Sequence, residues 1–264
     1  MKNILEEIIA VKERQVELEK SETPVSDLEG QPLFDRETFS LKSFLADQSR
    51  NGIIAEFKRK SPSKGIINDT ASALDVTKAY ATNGASALSV LTDRAFFGGS
   101  IDDLKEARIN QLPILRKDFI IDEYQLVQAK AIGADVILLI AACLSPARVK
   151  RFAAFAKKLG LETLLEIHNE TELEYICDEV DLVGVNNRDL RTFTVDINTS
   201  LQLINKIPTN KPAIAESGIS DVETIVTLKQ AGFLGFLIGE TFMKEANPAI
   251  AFADFVKKLK AKVE

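Results

Sequence analysis

At 264 residues, with 45% hydrophobic and 27% charged positions, the chain has the balance of a soluble globular protein built on one large core. A net charge of -6 with dispersed lysines argues against nucleic acid as a partner, and the longest apolar run, 136–144, is far short of the roughly 20 residues that cross a bilayer, so no membrane partner is expected. With a single histidine in the chain, acid–base chemistry near neutral pH falls to carboxylates and lysines.

Met1-Lys2-Asn3 could open a secretory leader, but Glu6, Glu7, Lys12, Glu13 and Arg14 interrupt any apolar stretch, and a cytoplasmic location is expected. Ile4, Leu5, Ile8, Ile9 and Val11 recur at helical spacing with those charges opposite, which predicts an amphipathic helix. The polar segment 21–29 is the one stretch whose composition suggests disorder. A second helix over 40–47 takes Phe39, Leu41, Phe44 and Leu45 as its apolar face. Residues 1–50 therefore read as a helical extension whose apolar sides need a surface. They could cap one end of the fold and close over bound substrate, or pack without touching a ligand; spacing alone does not separate the two.

Eight short apolar runs follow at intervals of roughly 25 residues: 53–58, 87–91, 113–117, 135–140, 163–167, 182–186, 213–216 and 236–239. Between them lie segments of helical periodicity, such as Val149, Phe152, Ala153, Ala156 and Leu159 closed by Gly160. Near-continuous Val/Ile/Leu runs joined by helices are the mark of parallel strands buried on both faces, and eight units close most economically into a (β/α)8 TIM barrel. An open doubly wound sheet would need a G-x-G-x-x-G loop after an early strand, and the sequence has none at any strand end. The expectation is a single domain over 1–264, with 51–264 forming the eight units and an amphipathic helix over 249–259 ending the last.

Barrel chemistry sits at the carboxyl ends of the strands. Side-chain alternation puts Glu56 and Lys58 on one face of the first strand, aimed into the barrel mouth, and Leu115, Lys117 and Phe119 on one face of the third. Glu166, Asn186 and Glu216 hold the equivalent position on the fifth, sixth and seventh strands. Buried unpaired charges are costly, so these groups should pair with one another and with a charged ligand. Desolvation would lower the lysine pKa values while the carboxylates push them back up, a poised acid–base set without a histidine.

An anion seat is expected where Glu216-Ser217-Gly218 and Gly239-Glu240 leave the last two strands, because glycine there lets backbone N–H groups approach phosphate, and Arg188 could add a forked contact. The loop 60–65, polar and bracketed by Pro62 and Gly65, reads as a lid or a solvated loop; Phe96 and Phe97 line an apolar pocket or lie under the extension. His168 has no cysteine or second histidine nearby and is expected to hydrogen-bond at the surface or rim. Cys143 and Cys177, the latter in a later helix, are expected to be buried reduced thiols, with no metal site.

The segments Ile54-Ala55-Glu56-Phe57-Lys58-Arg59-Lys60-Ser61-Pro62-Ser63, Pro113-Ile114-Leu115-Arg116-Lys117-Asp118-Phe119, Leu165-Glu166-Ile167-His168, Gly184-Val185-Asn186-Asn187-Arg188-Asp189-Leu190 and Ala215-Glu216-Ser217-Gly218-Ile219 together resemble the indole-3-glycerol phosphate synthase family of tryptophan biosynthesis. The likeness runs from the extension to the last unit. It implies a carboxy-lyase that closes the ring of 1-(2-carboxyphenylamino)-1-deoxyribulose 5-phosphate with loss of carbon dioxide and water.

By that resemblance Lys117 is the general acid on the ketone oxygen, and Glu166 handles a proton in the later dehydration. Lys58 pairs with the substrate carboxylate, Glu56 steadies the cation on the anilino nitrogen, and Asn186, Glu216 and Phe119 bind substrate; which lysine acts in which step stays open. Ser61, Arg188, Ser217, Gly218 and Gly239 hold the phosphate, and Glu240, where some members carry serine, is expected to turn its side chain away. The resemblance implies a small phosphorylated substrate and no metal or organic cofactor; a monomer is expected, although the sequence itself does not reveal the oligomeric state. Two alternatives remain: a Schiff-base aldolase-type barrel acting on a sugar phosphate with Lys117 as nucleophile, and a phosphate-ligand binding barrel without turnover.

Overall fold

The computed structural model describes residues 4–263. The leader-like Met1-Lys2-Asn3 and the final Glu264 lie outside the described residues. Eight parallel strands close into a barrel: β1 Ile53–Phe57, β2 Ala87–Leu91, β3 Ile114–Lys117, β4 Val136–Ile140, β5 Glu162–Ile167, β6 Leu182–Asn186, β7 Ala213–Glu216 and β8 Gly235–Ile238. Closure is made at β1, where Ile54 is in register with Ala87 on β2 and with Leu237 on β8.

Alternation along each strand sorts the side chains into two layers. Ile54, Ala87, Leu115, Val136, Leu138, Ile140, Leu164, Leu182, Ile214 and Leu237 fill the barrel interior. Residues of the other parity, among them Ile53, Phe57, Leu88, Ile137, Leu165, Val183 and Phe236, pack outward against the helices. Continuing the interior parity toward the carboxyl ends leads to Glu56, Lys117, Glu166, Asn186 and Glu216, so the same pleat that builds the core delivers the polar groups to the mouth.

The expected helix after every strand is not fully realised. Between β5 and β6 the chain makes only the 3-10 turn Glu170–Tyr175, and between β6 and β7 the short helix Asn198–Leu203. Leu173, Tyr175 and Ile176 nonetheless cover the core there, so a full helix is not needed to seal that face. Cys177 accordingly lies past the turn and not in a helix, and both Cys143 and Cys177 are free and half-buried.

The extension serves both ends of the barrel instead of one. Helix α1, Ile4–Glu22, lies against the helix Glu123–Ala131, fastened by the Tyr124 hydroxyl donating to the Glu19 and Thr23 carbonyls at 3.1 and 2.9 Å. Its first turn reaches the carboxyl-end cavity. Helix α3, Leu41–Ala46, closes the opposite end: Leu41 and Leu45 join the interior cluster, and Glu162 at the start of β5 accepts from Ser40 Oγ at 2.6 Å and Lys42 N at 3.1 Å. A Cβ on Gly235 would stand 3.1 Å from Leu45 Cδ1 and 2.8 Å from Ile214 Cγ1, so the bare backbone of β8 makes room for the plug.

The segment 21–29, expected to be disordered, folds. Helix α2, Val25–Glu29, buries Leu28 against Tyr124 and Val127. One fully buried leucine is worth about 1.5–3 kcal/mol, which fixes a segment otherwise polar in composition.

Candidate active site

The strand ends converge on one cavity of about 550 Å³ at the carboxyl face, lined among others by Glu56, Lys58, Ser61, Lys117, Phe119, Glu166, Asn186, Arg188, Glu216, Ser217, Gly218 and Gly239. The twelve positions expected from the sequence to bind or react are thus together. Ile4, Leu5 and Ile8 of α1 also line it, so the extension has a ligand-facing side at this end. Phe97 also lines it and packs on Phe119 with ring centroids 5.9 Å apart, an apolar wall facing the charged strand ends.

Lys117 Nζ donates to Glu166 Oε2 at 2.8 Å and to Glu216 Oε2 at 3.0 Å. Asn186 Nδ2 donates to the other oxygen of Glu166 at 3.1 Å, and Lys58 Nζ stands 2.7 Å from Glu56 Oε1. Two glycines leave space for this packing: a Cβ on Gly184 would fall 2.2 Å from Glu216 Oε1, and one on Gly239 would fall 2.7 Å from Glu56 Oε1.

Burial is the largest influence on Lys117 and disfavours its ammonium, but the charges of Glu166, Glu216 and Glu56 outweigh it and hold its pKa above the ordinary lysine range. The lowering anticipated from desolvation is therefore overcome. Burial likewise opposes ionisation of Glu166, yet Lys117 and His168 keep it well below the ordinary carboxylate range. Glu216, buried and set beside Glu166, is pushed up to about 7 despite Lys117. Two carboxylates sharing one ammonium are driven apart in this way: one stays ionised while its neighbour is poised to carry a proton.

The residues expected to hold an anion lie across the same cavity. Ser217 and Gly218 both adopt left-handed backbone, with φ of 65° and 77°; for serine this is strain of the kind found at ligand-holding loops. Arg188 Nη1 donates to Ser63 Oγ at 3.3 Å. The loop 60–65 is built as a small hairpin, with Lys60–Ser61 paired antiparallel to Gly65–Ile66. Glu240 does not turn away as expected: its Oε2 lies 3.4 Å from Arg188 Nη2 and its Oε1 3.5 Å from Lys64 Nζ. Two nearby cations draw the carboxylate toward them, which outweighs its tendency to avoid an anion seat.

His168 is half-buried at the carboxyl end of β5, where it makes the hydrogen-bonded contact expected of a rim residue, with Nε2 3.1 Å from Glu166 Oε1 and Nδ1 3.3 Å from Glu172 Oε2. Lys12 departs from the sequence expectation of a solvated charge. Lys12 is 1% exposed, its ammonium 2.8 Å from both Asp93 and Asp118. It belongs to the buried stripe Ile8, Lys12 and Val16 of α1, so the signal available was a charge at i+4 from an apolar residue on the inward face.

The family model described as indole-3-glycerol phosphate synthase matches residues 5–255, nearly the whole chain. The chain belongs to the indole-3-glycerol phosphate synthase family. An indole-3-glycerol phosphate synthase of Bacteroides thetaiotaomicron is 49% identical over 98% of this chain and 100% of its own length. That of Salinibacter ruber is 43% identical, covering 95% and 94%. A tryptophan synthase α-subunit from Pyrococcus furiosus superimposes with a TM-score of 0.59 at 18% identity over 79% of this chain and 97% of its own, a likeness of fold alone. Indole-3-glycerol phosphate synthases are carboxy-lyases of tryptophan biosynthesis, and the family match bears out the resemblance on which the enzyme reading stood.

Proposed function

We propose that this chain closes the indole ring of 1-(2-carboxyphenylamino)-1-deoxyribulose 5-phosphate with Lys117 as general acid. The observation that carries the assignment is Lys117 Nζ set 2.8 Å from Glu166 and 3.0 Å from Glu216, in the cavity that also contains Arg188, Ser217 and Gly218. As the aromatic ring carbon bonds to the ketone carbon, the carbonyl electron pair moves to oxygen and Lys117 supplies its proton. Glu56, buried at the mouth, steadies the positive charge that builds on the anilino nitrogen. Carbon dioxide then leaves, and the electron pair of its bond to the ring neutralises that charge.

Dehydration needs a proton delivered to the departing hydroxyl and one removed from the adjacent carbon. Glu166 takes the second role, since its neighbours keep it ionised, and Glu216 holds the substrate hydroxyls with Asn186. Lys58 pairs with the substrate carboxylate and is a second acid within reach. Each such proton transfer is typically worth roughly 10²- to 10⁴-fold in rate. Phe119 and Phe97 face the anilino ring, and Ser61, Arg188, Ser217 and the backbone N–H groups of Gly218 and Gly239 hold the phosphate. No step in this scheme uses a metal or organic cofactor.

An ammonium gripped by two carboxylates suits an acid better than an amine nucleophile, which argues against the aldolase alternative. Mixing the protein with the anilino-ribulose phosphate should raise indole absorbance, and borohydride should trap no adduct on Lys117. A silent spectrum with intact binding would leave only a binding barrel, and a trapped adduct would favour the aldolase. The reading also takes the chain as one unit, the extension 1–50 closing the barrel of 51–264, acting as a monomer in the cytoplasm.

A further inference from the structure

The chain's only histidine is not in the wall of the cavity. His168 follows β5 and sits behind Glu166, 9% of its side chain exposed. Glu172 holds it from the far side, one oxygen accepting the His168 backbone N–H at 2.7 Å and facing Nδ1 at 3.3 Å. The other Glu172 oxygen accepts from Asn169 Nδ2 at 3.1 Å, so the carboxylate that fixes the ring is itself fixed. Nε2 stands 3.1 Å from Glu166 Oε1, off the line of a hydrogen bond, and this buried nitrogen has no acceptor in line.

We infer that His168 is a positioning residue for Glu166: an imidazolium, backed by Glu172, that keeps the Glu166 carboxylate ionised and aimed when Lys117 turns to the substrate. This rests on the reading of Glu166 as a proton carrier. Glu166 and Glu216 share one cation, Lys117, and in the proposed reaction that cation must serve the ketone oxygen. Two buried carboxylates left facing each other would force one to take a proton. His168 touches Glu166 and not Glu216, so it decides which of the two stays charged.

Other titratable groups around His168 do not supply the charge. Cys143, on the 3-10 turn Ala141–Cys143, is near Glu166 and Glu172, and burial with their charges pushes its thiol up, keeping it neutral. Lys117 reaches Glu166 only at Oε2, on the opposite oxygen. For His168 itself, burial works against protonation but Glu166 and Glu172 outweigh it and push it up to about 10.

The test is the pH dependence of kcat and KM for His168→Gln, His168→Asn and Glu172→Gln beside Glu166→Gln. Loss of the imidazolium should move the acidic limb of kcat upward by about one unit, about tenfold at the limb, with KM little changed. Glu172→Gln should instead draw the alkaline limb downward, as the imidazolium loses its partner; it also serves if the His168 variants fail to fold. Profiles of the folded variants superimposing on wild type, or a loss confined to KM, would overturn the inference. If Glu166→Gln turns over normally, the proton-carrier reading falls first; if Glu166→Gln is inactive while His168→Gln titrates like wild type, only the role of His168 falls.

Discussion

Lys12 of the first helix places its ammonium 2.8 Å from Oδ1 of Asp118, the residue beside Lys117. The other partner, Asp93, caps the turn that carries Phe96 and Phe97 by accepting their backbone N–H groups at 2.7 and 3.2 Å. Asp118 is also held by Thr92 Oγ1 at 2.5 Å and Arg116 Nη2 at 3.2 Å. One buried cation therefore ties α1 to the ends of β2 and β3. Lys12→Met leaves two buried carboxylates short of a counter-charge and should destabilise the protein by about 3–5 kcal/mol, read from urea unfolding. Burial opposes both charges, yet Lys12 is raised and Asp118 lowered by their pairing. The contribution is therefore complete at neutral pH, lost on the acid side only below the ordinary carboxylate range and on the alkaline side only above the ordinary lysine range. A variant as stable as wild type would refute this.

Lys117→Ala and Glu166→Gln should each lower kcat at least about a hundredfold while the far-UV spectrum stays native. Normal turnover in either would remove that residue from the proton transfers.

Glu216 should leave a mark on stability. Its native pKa is raised from 4.5 to about 7, so between those values the folded protein holds a proton that the unfolded chain has released. Stability due to this group is full below that window and falls as pH rises through it. Glu216→Gln should flatten the slope of unfolding free energy across the window; an unchanged slope would show that Glu216 titrates as an ordinary carboxylate.

At the anion end, Arg188→Ala should raise KM more than it lowers kcat. With phosphate on Arg188 as proposed, Glu240, which pairs with Arg188 and Lys64, would be its competitor, and Glu240→Gln should lower KM by about 2- to 5-fold, the worth of a partly exposed ion pair of roughly 0.5–1 kcal/mol. A higher KM in Glu240→Gln would mean that the carboxylate helps hold the substrate and does not compete with it.

The barrel was legible because parallel strands covered on both faces leave continuous apolar runs, of which Val136–Ile140 is the plainest. The pleat carried that legibility to Glu56, Lys117, Glu166, Asn186 and Glu216, whose facing follows from counting by two. Residues off the strands escaped this rule. Lys12 reads as a solvated charge until Asp93 and Asp118, some eighty and one hundred positions away in sequence, fold against it. His168 lies past the end of β5, where alternation no longer says which way a side chain points. Glu240 escapes it too, because its attraction to Arg188 and Lys64 depends on loops that meet only in the fold. Leu28 shows the opposite limit: composition over 21–29 averages away the single residue that anchors it.

The plug made by Leu41 and Leu45 bears on how the chain is born. These leucines leave the ribosome before any barrel strand, yet their seat is finished only when Gly235 and Leu237 arrive near the other terminus. Throughout elongation the floor of the molecule must wait, greasy and uncovered, for its last stave. Newly made protein should therefore be most prone to stick to its neighbours until β8 has emerged, and a chain stopped short of β8 would never bury that stopper.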